Sequence, residues 1–147
     1  MSGPIALVVV DFQKAFEDAD SWGPRNNPAC EENVGVLIEA WRAGGQPVVF
    51  VRHDSRDERS PLRPGQPGNT LKDVVAGEPD LLVTKHVNSA FHGDPDLAAW
   101  LRDSGIDLAA PDGGILTADE LARVTAANLD PEFGRVVSTA EVIGELR

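Results

Sequence analysis

The apolar residues of this chain come in short unbroken runs, and polar side chains follow each run. Residues 5–10 are all apolar and mostly β-branched, and Asp11 follows them at once. Two later segments, 47–53 and 80–84, centre on similar runs. A strand that buries one face alternates apolar and polar residues, so unbroken runs predict strands covered on both faces, as in parallel sheets.

Helical patterns lie between these runs. A helix is predicted to open at Asn27-Pro28 and to end at Gly44-Gly45. A second helix opens at Asp94-Pro95 and stops at Gly105, and a short one lies within 70–77. The stripe of the first helix comprises Val34, Leu37, Ile38 and Trp41. This alternation predicts an α/β protein with three layers, α/β/α, and a mostly parallel sheet.

The pattern changes after Ile106. The elements predicted beyond it are a strand stub at 106–110, a turn at 111–114, helices opened by capping boxes at 117–120 and 138–141, and a short strand at 135–137. No repeats or low-complexity segments interrupt the chain, so we expect a single domain over residues 1–147.

Charge and cysteine content narrow the possible partners and compartment. The 147 residues include 24 Asp and Glu but only 13 Lys and Arg, for a net charge of −11. Nucleic acids and anionic membranes both require a basic face, so neither is an expected partner. The single cysteine, Cys30, allows no internal disulfide and fits a reducing compartment. With no secretion signal and no run of about 20 apolar residues, we predict a cytoplasmic protein.

Three polar clusters follow the three apolar strands: Asp11, His53 with Asp54, and Lys85. In open α/β sheets the ligand crevice lies beyond the carboxyl ends of the strands. We expect Asp11 and Lys85 to lie at adjacent strand ends within salt-bridge reach, where they would form a coupled acid–base pair, each shifting the pKa of the other. The alternative for Asp11 is that it only caps the next turn. Residues 12, 13 and 16 follow closely and could wall a pocket.

Metal and cofactor motifs are missing from the sequence. His53, His86 and His92 match no His-x-His or Glu-x-x-His spacing, so we predict no metal. No glycine-rich phosphate loop follows the first strand, and we predict no nucleotide or other cofactor. The sequence also has no Gly-x-Ser-x-Gly motif, so a serine hydrolase is not expected.

Several segments together resemble the isochorismatase-like hydrolases. They are ALVVVDFQKA at 6–15, VRHDS at 51–55, SPL at 60–62, VTKHVNSAF at 83–91, LTADEL at 116–121 and EFGRVVST at 132–139. The resemblance implies a Rossmann-like fold and hydrolysis of small amides or imides by an Asp, Lys and Cys triad. Asp11 and Lys85 match the first two members of that triad.

The same resemblance implies a binding pocket for a small-molecule substrate. Phe16, Trp22 and Phe91 fall in segments that line the pocket of the family. We assign substrate binding to His53 as well, because it ends the second predicted strand.

This chain departs from the family pattern near residues 110–111. The family continues there into a strand, a Gly-x-x-Thr-x-x-Cys turn, a helix and another strand, a unit of roughly 30 or more residues. Here Ala110 passes directly to Pro111. The internal truncation removes the nucleophilic cysteine and the backbone amides of the oxyanion hole. Cys30 lies on a different predicted helix, on its apolar stripe, and is interpreted as a small core residue.

Three interpretations follow from this departure. The first is a hydrolase that works without the thiol, for example on a vinyl ether, which some relatives cleave with an Asp as general acid. The second is an inactive relative that serves as a small-molecule-binding or oligomerisation module. The third is that the deletion is an artefact of the gene model.

The deletion also changes the expected edge of the sheet. In the family the first strand is interior, so losing its neighbour would leave residues 5–10 with an open apolar edge, which soluble proteins avoid. We expect either 106–110 or 135–137 to pair beside it, or another subunit to cover it. A homo-oligomer that buries part of this side is therefore predicted.

The interpretation of Cys30 yields a first prediction. Cys30→Ser should leave the rate of any hydrolysis by this chain unchanged, because a core thiol without a charged neighbour is inert. Turnover by the wild-type and substituted proteins would be compared under identical conditions. Loss of turnover in the variant would show that Cys30 takes part in the chemistry.

Overall fold

A four-stranded sheet organises the computed structural model, which describes residues 4–23, 27–75, 77–106, 108–109, 115–116 and 143–144. The strands of the sheet are β1 (Leu7–Val10), β2 (Val48–His53), β3 (Leu81–Lys85) and β4 (Gly93–Asp94). The helices are α1 (Ala19–Trp22), α2 (Cys30–Ala43) and α3 (Leu97–Asp103). Short 3-10 helices cover Lys14–Glu17, Pro67–Asn69 and Ala90–His92.

The strands lie in the order β1-β2-β3-β4. β1 pairs with β2 in parallel, and β2 pairs with β3 in parallel, with His53 opposite Lys85 at the end of the register. β4 is a two-residue strand antiparallel to β3. The sheet is therefore mostly parallel, as predicted, and β2 is its best-covered strand.

One face of the sheet packs against α2. Ile38 and Trp41 of the predicted stripe are buried there with Val48 and Phe50 of β2. The indole Nε1 of Trp41 also donates a hydrogen bond to the carbonyl oxygen of Ile5 at 2.9 Å. The helix is thus fixed to the sheet by apolar contact and by one directional bond at the start of the chain's first strand.

The opposite face packs against α3. Leu97 and Leu101 of this helix are buried with Val49 and Val51, the alternate residues of β2, and with Val83 of β3. Helices on both faces explain why β2 is apolar without alternation. The three-layer α/β/α prediction is confirmed.

Both long helices begin later than the sequence pattern predicted. The side chain of Asn27 accepts a hydrogen bond from the backbone N–H of Ala29, and α2 begins at Cys30. Cys30 is partly exposed in this first turn, so the prediction that it is a core residue is wrong. Asp96 caps α3 by accepting from the N–H of Ala99.

The helix predicted within 70–77 is absent from the described residues of that segment. They form turns, with one bridge between Leu71 and Gln13. A buried ion pair occupies the segment instead: Lys72, only 4% exposed, places its Nζ 2.6 Å from a carboxylate oxygen of Glu31 on α2. The apolar side chains of the segment still pack with the α2 cluster, because Val75 belongs to that cluster and Leu71 and Val74 lie against it.

The strand stub predicted at 106–110 forms but pairs elsewhere. Its residues Leu108–Ala109 (β5) pair antiparallel with Ile115–Leu116 (β6) in a separate two-stranded sheet. Of the three alternatives expected to cover β1, pairing with this stub is therefore wrong. The predicted strand at 135–137 and both capping boxes lie outside the described residues.

The outer edge of β1 has no strand partner among the residues that the structure describes. Ile5 and Val10 there are 42% and 44% exposed. An apolar groove runs along this edge and is lined by Leu7, Val8, Val9, Val10, Phe12, Val34 and Leu37. Cover by another subunit stays a prediction. In the described part of the chain, no helix is long and apolar enough to cross a bilayer.

Two residues of α2 offer a matched stability test. Ile38→Ala should lower the free energy of unfolding by about 2–5 kcal/mol, because Ile38 is 2% exposed and its loss leaves a cavity against the sheet. Val36→Ala on the same helix should change it by less than about 0.5 kcal/mol, since Val36 is 44% exposed. Denaturant unfolding would measure both, and equal losses would contradict this packing.

Candidate functional site

Asp11 directly follows β1 and has an unusual backbone conformation. Its φ of 56° lies in the left-handed region, which non-glycine residues rarely adopt and Asp tolerates better than most. The Asp11 N–H still donates to the carbonyl oxygen of Val51 at 2.9 Å, so the turn begins with the last bond of the ladder. Strained positions of this kind are frequent at functional sites.

Lys85 at the end of β3 is the cation that faces Asp11. Its side chain is 1% exposed, and Nζ donates to Asp11 Oδ2 at 2.8 Å. The predicted ion pair between these residues therefore forms. The prediction that they end adjacent strands is wrong, because β2 lies between β1 and β3. The two side chains meet across the end of β2, where His53 stands.

Two further acceptors surround the Lys85 ammonium. The carbonyl oxygen of Val87 is 3.2 Å from Nζ, and Nδ1 of His53 is 3.3 Å from it. The second carboxylate oxygen of Asp11, Oδ1, is buried and finds no hydrogen-bond partner among the described residues. Because buried carboxylate oxygens are normally paired, this atom is the unused acceptor of the site.

Gln13 fixes the backbone of His53. Its side chain is completely buried; Oε1 accepts from the His53 N–H at 2.8 Å, while Nε2 donates to the carbonyl oxygens of His53 at 3.0 Å and Asn69 at 2.8 Å. Gln13 therefore does not wall the pocket, as its position after Asp11 had indicated, but ties β2 to two loops. Phe12 packs on the α2 face instead.

Asp54 is a second buried polar residue, and it lies next to Asn69. Asn69 donates to Asp54 Oδ1 at 2.9 Å, and Arg52 donates to both Asp54 oxygens at 2.8 and 3.0 Å. Burial by itself would raise the pKa of Asp54, but these hydrogen bonds and the Arg52 charge outweigh it and lower the pKa. The backbone oxygen of Asp54 also lies 2.6 Å from Nδ1 of His86. His86 thus contacts the backbone behind the site and not the ion pair itself.

A pocket of about 480 Å³ opens beside the ion pair. The described residues that line it are Asp11, Phe16, Trp22, His53, Ser60, Leu62, Lys85 and Asn88. Phe16 and Trp22 contact each other with ring centroids 4.8 Å apart and form an aromatic wall. Five of the six residues predicted for the site thus line one pocket.

Phe91, the sixth predicted residue, does not line this pocket. It packs against the core cluster of α3 and the sheet. Three lining residues were missed: Ser60, Leu62 and Asn88. Each lies in a segment that carries the family resemblance, which was the available signal, but spacing gave no reason to choose them.

The histidines do not converge on a common metal site. Within the described ranges, no group of three or more His, Cys, Asp or Glu side chains is arranged to hold a metal ion. His53 faces Lys85, and His86 faces the Asp54 backbone. That the protein uses no metal or cofactor stays a prediction.

The fold and the site define a class of protein: a three-layer α/β domain with a carboxylate–lysine pair at the carboxyl ends of its parallel strands. The family profile described as Isochorismatase domain matches residues 5–109. A crystal structure of an isochorismatase-family protein from Chromobacterium violaceum is 32% identical, with a TM-score of 0.74 over 99% of this chain and 94% of that one. The chain belongs to the isochorismatase family.

Other relatives agree with this assignment. An isochorismatase-family protein of Bacillus subtilis, YrdC, is 40% identical over 89 residues, which are 60% of this chain and 47% of YrdC. The chain thus matches about half the length of this curated relative. A structure from Burkholderia xenovorans is 26% identical, with a TM-score of 0.70 over 99% of this chain and 88% of that one.

The surroundings of His53 set the direction of its titration. Burial is the main reason that its pKa lies below the ordinary value, and the Lys85 charge is the next. Asp11 and Asp54 oppose the shift, while His86 adds to it. As the pH falls, His53 takes up a proton in the unfolded chain before it does so in the folded chain, because its pKa is lower in the folded state. The stability that comes from neutral His53 is therefore complete above the ordinary pKa of 6.5 and is lost as the pH falls below that value.

Removal of Lys85 should therefore raise the pKa of His53. We expect Lys85→Met to move the midpoint of an NMR titration of His53 towards 6.5. Lys14→Met is the matched control, because Lys14 forms an ion pair of the same 2.8 Å length with Asp73 outside the pocket. Equal His53 midpoints in the Lys85→Met variant and the wild type would contradict the arrangement.

Proposed function

We propose that this chain is an isochorismatase-like hydrolase of small amides, imides or vinyl ethers, with Asp11 and Lys85 as its acid–base pair. One observation carries the proposal. A buried lysine and a carboxylate with one unused oxygen stand together on the wall of a pocket large enough for a small molecule. A pocket in which a few polar and charged groups converge is the usual starting hypothesis for an active site.

The pair supports proton transfer in either direction. As a carboxylate, Asp11 would accept a proton from a water molecule that attacks an amide carbonyl carbon. As a carboxylic acid, it would donate a proton to a vinyl ether, and water would then add to the resulting cation. The 2.8 Å contact between Lys85 Nζ and Asp11 Oδ2 has the geometry of an ion pair, which matches the first role.

The lack of a suitable thiol supports an alternative, that the chain binds small molecules without turning them over. Cys30, the single cysteine of the sequence, lies in the first turn of α2 and is not among the described residues that line the pocket. Loss of an oxyanion donor alone costs about 10²–10³ in rate. A pocket that retains Asp11 and Lys85 without the thiol would still recognise a polar ligand.

Asp11→Asn tests the proposed role of the carboxylate. The amide has nearly the same shape but neither accepts nor donates a proton in this way, so hydrolysis of acetamide, succinimide or isochorismate should fall by at least about 10²-fold. Thermal unfolding should show that the variant remains folded. The rate would be measured on each compound separately, because one active compound decides between amide and vinyl-ether chemistry.

Asp73→Asn is the control for that test, since Asp73 also pairs with a lysine at 2.8 Å but is 92% exposed. Its rate should equal that of the wild type. No turnover of any compound by the wild-type chain, combined with binding of one of them, would favour the binding-module alternative. Equal activity of the Asp11→Asn variant and the wild type would refute the acid–base assignment.

A further inference from the structure

All three protons of the Lys85 ammonium are already used. A protonated lysine has three N–H donors and no acceptor. Its Nζ has three acceptors within reach, namely Asp11 Oδ2 at 2.8 Å, the Val87 carbonyl oxygen at 3.2 Å and His53 Nδ1 at 3.3 Å. In this arrangement Lys85 has no N–H left with which to contact a ligand.

This count determines the tautomer of His53. The ammonium has no lone pair, so Nδ1 of His53 must be the acceptor of their contact and cannot carry a proton. A neutral imidazole has one proton, which therefore lies on Nε2. The lowered pKa of His53 agrees with a neutral ring.

Nε2 is left as an available donor. No residue of the described chain forms a hydrogen bond with it, and it is not among the buried atoms without a partner. His53 lines the pocket with Asp11. The Gln13 side chain binds both the N–H and the carbonyl oxygen of His53, which fixes the backbone from which the ring extends.

We propose that His53 is a specificity-determining residue: Lys85 holds it as the Nε2–H tautomer, and this N–H donates to an oxygen atom of the substrate. The pocket then offers two groups, the donor His53 Nε2–H and the Asp11 carboxylate as an acceptor. Such a pair selects a ligand that carries an oxygen acceptor and a polar hydrogen close together. The donor role rests on the proposed function, whereas the tautomer does not.

Two substitutions separate the two ring nitrogens. His53→Asn places an amide near the position of Nδ1, so it can still accept from Lys85 but has no group at the position of Nε2. His53→Gln places an amide near the position of Nε2, so it retains a donor towards the pocket. If His53 acts only by accepting a hydrogen bond from Lys85, His53→Asn should preserve ligand binding better than His53→Gln. If His53 donates to the ligand, His53→Gln should preserve binding better.

The tautomer is measured on the wild-type protein without any ligand. Long-range ¹H–¹⁵N NMR at about pH 7.5, where an ordinary histidine is neutral, distinguishes the two nitrogens. The His53 signals are assigned by their loss in the His53→Asn variant, since the chain has three histidines. We expect the Nε2–H pattern. The Nδ1–H pattern would overturn the inference, whatever the activity of the protein.

Acetamide is the probe for the donor role. Its dissociation constant should rise about five- to tenfold in His53→Asn, as for loss of one hydrogen bond, and by less than about threefold in His53→Gln. Unchanged binding by His53→Asn would overturn the donor role while the hydrolase proposal stands. If the wild type binds neither acetamide nor succinimide, both the donor role and the amide function are refuted, and the tautomer result is judged separately.

Discussion

Burial of the Lys85 ammonium is the constraint on which the site depends. An unpaired charge that is 1% exposed would cost several kcal/mol, so the fold must supply a counter-charge and acceptors for all three protons. Asp11, His53 and the Val87 carbonyl oxygen supply them. Each comes from a different segment, and the left-handed turn at Asp11 accompanies this convergence. The cation thereby orients both a carboxylate and an imidazole.

The polar groups behind the site are also buried. Gln13 and Asn69 satisfy the backbone atoms around His53, and Asn69 also reaches Asp54. Low dielectric surroundings strengthen such a network when every member is paired and penalise it when one is lost. The position of His53 is therefore maintained from behind by the neutral amides of Gln13 and Asn69, while the charges of Asp11 and Lys85 lie on the pocket side.

Family membership and the composition of the pocket give different information about function. The match to the isochorismatase domain covers 5–109, which includes β1 to β4 and the Asp11–Lys85 pair. Cys30 stands on α2, outside the described lining of the pocket. The parts of the site that the structure describes thus contain a carboxylate, an ammonium and hydrogen-bonding groups but no thiol. This is why the proposed chemistry uses water and a carboxylate.

The sequence by itself determined the elements whose signals are local. The unbroken apolar run of β2 and the stripe of α2 predicted their own burial, and the shared carboxyl edge of parallel strands predicted that Asp11 and Lys85 would meet. Tertiary structure decided what depends on distant partners. Gly93 and Asp94 become a strand only because β3 offers its edge, Phe91 faces the core and not the pocket, and β5 pairs with β6 and not with β1. Strand pairing and side-chain environment arise from contacts between residues far apart in the chain, which no local pattern records.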